Sequence, residues 1–172
     1  MKKYDYVFVL DYVSLLSGKF FSIYDIEVSD IRIVTPEMKK LNDLVRTEKN
    51  EFKRKEYVDI VSKINQFAEN KKIFFLGENN ERDVENKLLE VVIKNYYLKD
   101  ILIISNEKEK IEKFLPLIPV YETFNKILDI GYITSMLGFY EFDKTNDALN
   151  CIVKEEYNDS ELDDIDDLND IE

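Results

Sequence analysis

Hydrophobic positions along the chain fall in short uniform runs separated by stretches of helical period. Tyr6-Val-Phe-Val-Leu10, Ile31-Arg-Ile-Val34, Ile73-Phe-Phe-Leu76 and Ile101-Leu-Ile-Ile104 have the length and composition of strands. Runs with no polar alternation suit strands buried on both faces. Residues 12–24 read as a loop or short helix, with Leu15, Leu16, Phe20 and Phe21 packing inward. Thr35-Pro36 opens a helix, Thr as its N-cap and Pro at the first helical position, and Met38, Leu41 and Val45 form its apolar face. Tyr57, Ile60, Val61, Ile64, Phe67 and Ala68 give a second helical face, and Val84, Leu88, Val91, Val92 and Tyr96 a third, in a helix starting near Asp83. A short helix carries Ile111, Phe114 and Leu115. Pro119-Val-Tyr121 reads as a last edge strand, with Phe124, Ile127 and Leu128 beginning a further helix. Strands alternating with helices predict an α/β fold, a three-layer α/β/α arrangement around a central, mostly parallel sheet.

At 172 residues and 45% hydrophobic, the chain can bury one sizeable core. The organisation expected is an α/β domain over residues 1–130, an extension over 131–154 packed on it, and an acidic tail over 155–172. In the extension Tyr132, Met136, Phe139, Tyr140 and Phe142 are enough for docking, but no element type is legible. Of the 36 acids, ten follow Lys154 with no base among them, and the rest nearly balance the 24 Lys and Arg. The net charge of −12 is therefore mostly a property of the tail, which reads as disordered and solvating. Leu162, Ile165, Leu168 and Ile171 recur every three residues, so a short helix docking on a basic partner is the other reading of the same segment. Neither a signal peptide nor a membrane span is legible, so no membrane partner and a cytoplasmic location are expected.

Absent residue types prune the chemistry further. With no His and a single cysteine, Cys151, nucleophile systems built on His are out, and so are His or thiolate zinc sites. No Gly-rich phosphate cradle occurs. Carboxylate general acid/base work and hard-cation chemistry with Mg²⁺ or Mn²⁺ remain. Three acids have related expected places. Asp11 ends the first strand, Glu107 follows the strand 101–104, and Asp83 heads the helix preceding that strand. In an open α/β sheet the ligand crevice lies outside the carboxyl ends of the strands. Each acid also has a plain structural role open to it, as a cap or a surface residue.

The order Val7-Phe-Val-Leu-Asp11 with Leu15-Leu-Ser-Gly18, then Thr35-Pro-x-Met38-x-x-Leu41, then Asp83, then Ile103-Ile-Ser-Asn-Glu107 resembles the PIN-like nuclease domain over roughly residues 4–130. Pro119-Val-Tyr-Glu-Thr-Phe124 is similar to that family's last strand and the helix entry after it. The resemblance implies a metal-dependent endoribonuclease acting on single-stranded RNA, with Asp11, Asp83 and Glu107 as catalytic residues holding Mg²⁺ or Mn²⁺. The chain departs from the family's pattern at three places. Val13 stands where the family has Ser or Thr, with Ser14 beside it; Lys40 stands where it has Glu; and Glu107 replaces an Asp. Glu37, three residues before Lys40, can approach the site from one turn away as a further metal ligand, whereas a Lys in the site would replace cation charge or repel a second metal. Lys39, Lys40, Arg46, Lys49, Lys53, Arg54 and Lys55 form the most basic stretch and could track RNA phosphates. Interleaved Glu48, Glu51 and Glu56 suit a solvated helix face equally well. The competing reading is a catalytically inactive PIN-like scaffold that binds a protein or RNA, its acidic tail pairing with a basic protein; a homodimer is compatible with either. A phosphoacceptor receiver-type domain needs a second Asp ending a central strand, where this chain has Leu76-Gly-Glu78.

Overall fold

The computed structural model describes residues 4–16, 30–77, 81–136 and 139–144, apart from the side chains of 81–83 and of residues beyond 131. In chain order the elements are β1 (Tyr6–Val9), a 3-10 turn (Val13–Leu15), β2 (Asp30–Val34), α1 (Thr35–Thr47), α2 (Glu51–Glu69), β3 (Ile73–Leu76), α3 (Glu81–Lys94), β4 (Ile101–Ile104), α4 (Lys108–Glu112), a second 3-10 turn (Leu115–Leu117), α5 (Ile118–Thr123), β5 (Leu128–Met136) and β6 (Phe139–Lys144). The strands form one sheet in the order β3-β2-β1-β4-β5-β6. The first five are parallel, the first four of them as the apolar runs predict, and β6 pairs antiparallel with β5.

Period-two geometry sends alternate residues of each strand to opposite faces. Val7 and Val9 of β1, Ile31 and Ile33 of β2, and Leu102 and Ile104 of β4 meet Met38, Leu41, Ile60 and Ile64 of α1 and α2. Phe8, Ile101, Ile103, Leu128 and Ile130 meet Val84, Leu88 and Val92 of α3, Ile111 of α4 and Tyr121 of α5. The result is three layers. β1 and β4 at the centre are buried on both faces, and each fully buried side chain there contributes about 1.5–3 kcal/mol.

Three local expectations are corrected. Pro119–Tyr121 is helical, inside α5, because Pro's fixed φ suits a first helical turn as well as an edge strand. Tyr121 is buried there, its hydroxyl donating to the Val92 carbonyl at 2.5 Å. The chain then turns at Asn125, which takes a positive φ of 55°, and residues from Leu128 form a strand rather than a helix. Thr35 does not cap α1. Val34 occupies the N-cap, and the Thr35 hydroxyl donates to Gly77 O at 2.7 Å, fastening the start of α1 to the end of β3. Phe20, Phe21 and the acidic tail lie outside the described residues.

Candidate functional site

Strand order reverses direction at β1. The chain steps outward through β2 and β3, then returns to place β4 and β5 on the other side of β1. Such a reversal opens a crevice at the carboxyl ends of the two central strands. Asp11 leaves β1 there, and Ser105-Asn106-Glu107 leaves β4.

Asp11 is fully buried and holds the two loops together. Its Oδ1 accepts from the Ser14 amide at 2.8 Å and the Ser14 hydroxyl at 2.6 Å. Its Oδ2 accepts from the Ser105 hydroxyl at 2.7 Å and the Asn106 amide at 2.6 Å. An ionised carboxylate offers about four acceptor positions, so four donors use all of them. Ser105 Oγ in turn accepts from the Glu107 amide at 3.0 Å, linking Asp11 to Glu107 through one hydroxyl.

Beside this cradle stands Lys110, on α4. Its ammonium donates to the Leu10 carbonyl at 3.0 Å, contacts Glu107 Oε2 at 3.2 Å, and pairs closely with Glu37 Oε1. Those three partners take all three ammonium donors. Burial disfavours the charged Lys110, yet the bonds and charges of Glu37 and then Glu107 outweigh it, and the ammonium's pKa is raised. Burial also raises the Glu107 carboxyl above its ordinary range; Lys110 opposes that shift while Asp11 and Glu37 add to it. Glu37 lies in the first turn of α1, the end of a helix that favours an acid. It is 1% exposed, and its Oε2 has no hydrogen-bond partner among the described residues.

The residues singled out from sequence therefore divide. Asp11 and Glu107 meet through Ser105, and Glu37 reaches the same rim through Lys110. Asp83 lies in the first turn of α3, and its side chain is outside the described ones. Lys40 turns to Glu37 Oε1 at 3.4 Å. Lys39, Lys53 and Arg54 are exposed, and Arg46, in the last turn of α1, pairs with Asp43. Among the described residues, Lys40 of the basic stretch stands in contact with an acid of this site. Lys110 is not legible from the sequence, and Ser14 and Ser105 enter there only as members of the family pattern. The spacing of Lys110 three residues after Glu107 was the available signal, since i,i+3 residues share a helix face.

Of the acids that the resemblance assigns to Mg²⁺ or Mn²⁺, Asp11, Glu37 and Glu107 are engaged by protein donors, and the side chain of Asp83 lies outside the described ones. Asp11 has no acceptor position left for a metal, and the place a cation would take between Glu37 and Glu107 holds the Lys110 ammonium. Among the described residues no three acids, His or Cys are grouped as a metal ion requires. Nor is any described helix long and apolar enough to cross a membrane. Comparison with protein-family models, curated proteins and solved structures finds no match to the chain.

Proposed function

We propose that this chain is a PIN-like scaffold that recognises a partner at the carboxyl edge of its sheet without cutting it. The observation carrying this reading is Lys110. A nuclease site of the implied kind leaves its carboxylates short of positive charge until a metal arrives. Here a side chain supplies that charge permanently, with Leu10, Glu37 and Glu107 as its partners. With Lys110 paired to Glu37 and Glu107, this edge is a polar rim suited to recognition.

The metal-dependent ribonuclease, with Asp11, Asp83 and Glu107 holding Mg²⁺ or Mn²⁺ against single-stranded RNA, is the second reading. What favours it is the position of Asp11 and Glu107 at the strand-order reversal, where α/β sheets place their ligands. A Mn²⁺ titration of wild type and Asp11→Asn, followed by calorimetry and by cleavage of a labelled single-stranded RNA, separates the two. The scaffold reading expects no saturable Mn²⁺ binding and no cleavage by either protein. Mn²⁺-dependent cleavage by wild type that Asp11→Asn abolishes would establish the ribonuclease instead.

A further inference from the structure

We propose that the cavity beside Glu37 receives the cationic end of an arginine or lysine side chain from a basic partner protein, an inference that rests on reading the site as a recognition surface. The cavity has a volume of about 40 Å³, with Leu10, Val84 and Leu88 among its walls and Glu37, Glu85 and Lys110 as its charged groups. Glu37 lines it, and Glu37 Oε2 is buried without a donor. Leaving a buried acceptor unmet costs about 1–3 kcal/mol, and more when it carries charge. Lys110 cannot supply the missing bond, because its three donors are committed elsewhere.

Charge and size both select the occupant. Among the described residues Glu37 and Glu107 meet Lys110 and Lys40, whereas Asp11 is met by four uncharged donors and no cation. Glu85 is matched by Lys113 at 2.8 Å. At about 40 Å³ the cavity has room for about three water-sized groups. That accommodates a guanidinium or an ammonium with its last methylenes, whose aliphatic stem suits the Leu and Val walls. A nucleobase is too large. The ten acids after Lys154 add long-range attraction for the same basic partner.

The test is an NMR titration of the ¹⁵N-labelled full chain with a pentapeptide carrying one central arginine, and with its lysine and citrulline counterparts. The expected result is saturable shifts in the amides of Glu37, Val84, Leu88 and Lys110, with the cationic peptides binding at least tenfold more tightly than the citrulline one. Glu37→Gln should weaken arginine binding at least tenfold. Leu88→Phe, which fills the cavity and leaves every charge in place, should do the same, and spectra unchanged elsewhere show that both variants are folded. Equal binding of citrulline, shifts that do not saturate, or affinity indifferent to Glu37→Gln would overturn the proposal and leave water as the partner of Oε2. Cytidine monophosphate shifting these amides more strongly than the peptides would overturn it in favour of a nucleobase. Mn²⁺ shifting the same amides would overturn the recognition reading itself, whereas failure of the peptides with Mn²⁺ also silent overturns only the occupant.

Discussion

Replacing Lys110 by methionine removes one ammonium from between two carboxylates and keeps most of the side chain's packing. Glu37 is 2% exposed in its side chain and Lys110 17%, so the pair is largely screened from water. Unit charges about 3 Å apart attract by about 5 kcal/mol at an effective dielectric near 20, and breaking a buried pair by removing one partner costs about 3–5 kcal/mol. Leu10 also loses the ammonium donor on its carbonyl, worth about 1 kcal/mol. Lys40 still contacts Glu37, which pulls the expected loss to the lower end, about 3 kcal/mol. With an m-value of about 2 kcal/mol/M, the urea midpoint should fall by about 1.5 M with the slope unchanged. Glu37→Gln in the same background should recover about half of the loss, because the stranded carboxylate is then gone. A single variant within about 0.5 kcal/mol of wild type, or two losses that simply add, would show that Lys110 is not the cation that neutralises this site.

Three further outcomes are expected. Asp11→Asn turns an amide group toward donors on one side of the cradle and should cost about 2–4 kcal/mol by denaturation, while calorimetry shows the same absence of Mn²⁺ binding as wild type. Gly77→Ala should lower the melting temperature, because Gly77 has a φ of +82° and an added Cβ would lie 2.3 Å from Val84 Cγ2; the left-handed backbone alone costs about 1–2 kcal/mol. The folded-state pKa of Glu107 is raised, so ionising it works against the native state, and that penalty sets in as pH rises through its folded value. Glu107→Gln should therefore gain on wild type in thermal melts above about pH 5 and match it at about pH 3.5, where both side chains are neutral; a variant that loses ground as pH rises contradicts the sign.

The layers were legible because the strands carry their own signature. Tyr6–Val9 and Ile101–Ile104 have no polar residue to spare for a solvent face, and the helices between them keep a regular apolar stripe. The errors fall where a short run satisfies two geometries. Ile118-Pro-Val-Tyr121 has too few residues for its period to distinguish an edge strand from one helical turn. Thr35 looks like a cap in sequence, but a carbonyl 42 residues away claims its hydroxyl. Legibility in the site is split in the same way. Asp11 could be placed because it ends a strand, and Glu37 because it lies one turn from Lys40. Lys110 could not, because a lysine in a helix is usually solvated, and its burial depends on three groups from three separate stretches of chain.

The bond from the Asn106 amide to Asp11 Oδ2 joins residues 95 apart. Closing a loop of that length costs about 4 kcal/mol in chain entropy before any contact compensates it. A nascent or half-folded chain thus lacks this rim, even with β1 and its turn in place, because the second half of the cradle arrives with β4. Native-state hydrogen exchange would display this directly. The Asn106 amide, on a loop, should exchange as slowly as amides of the central strands, since releasing it requires β1 and β4 to part.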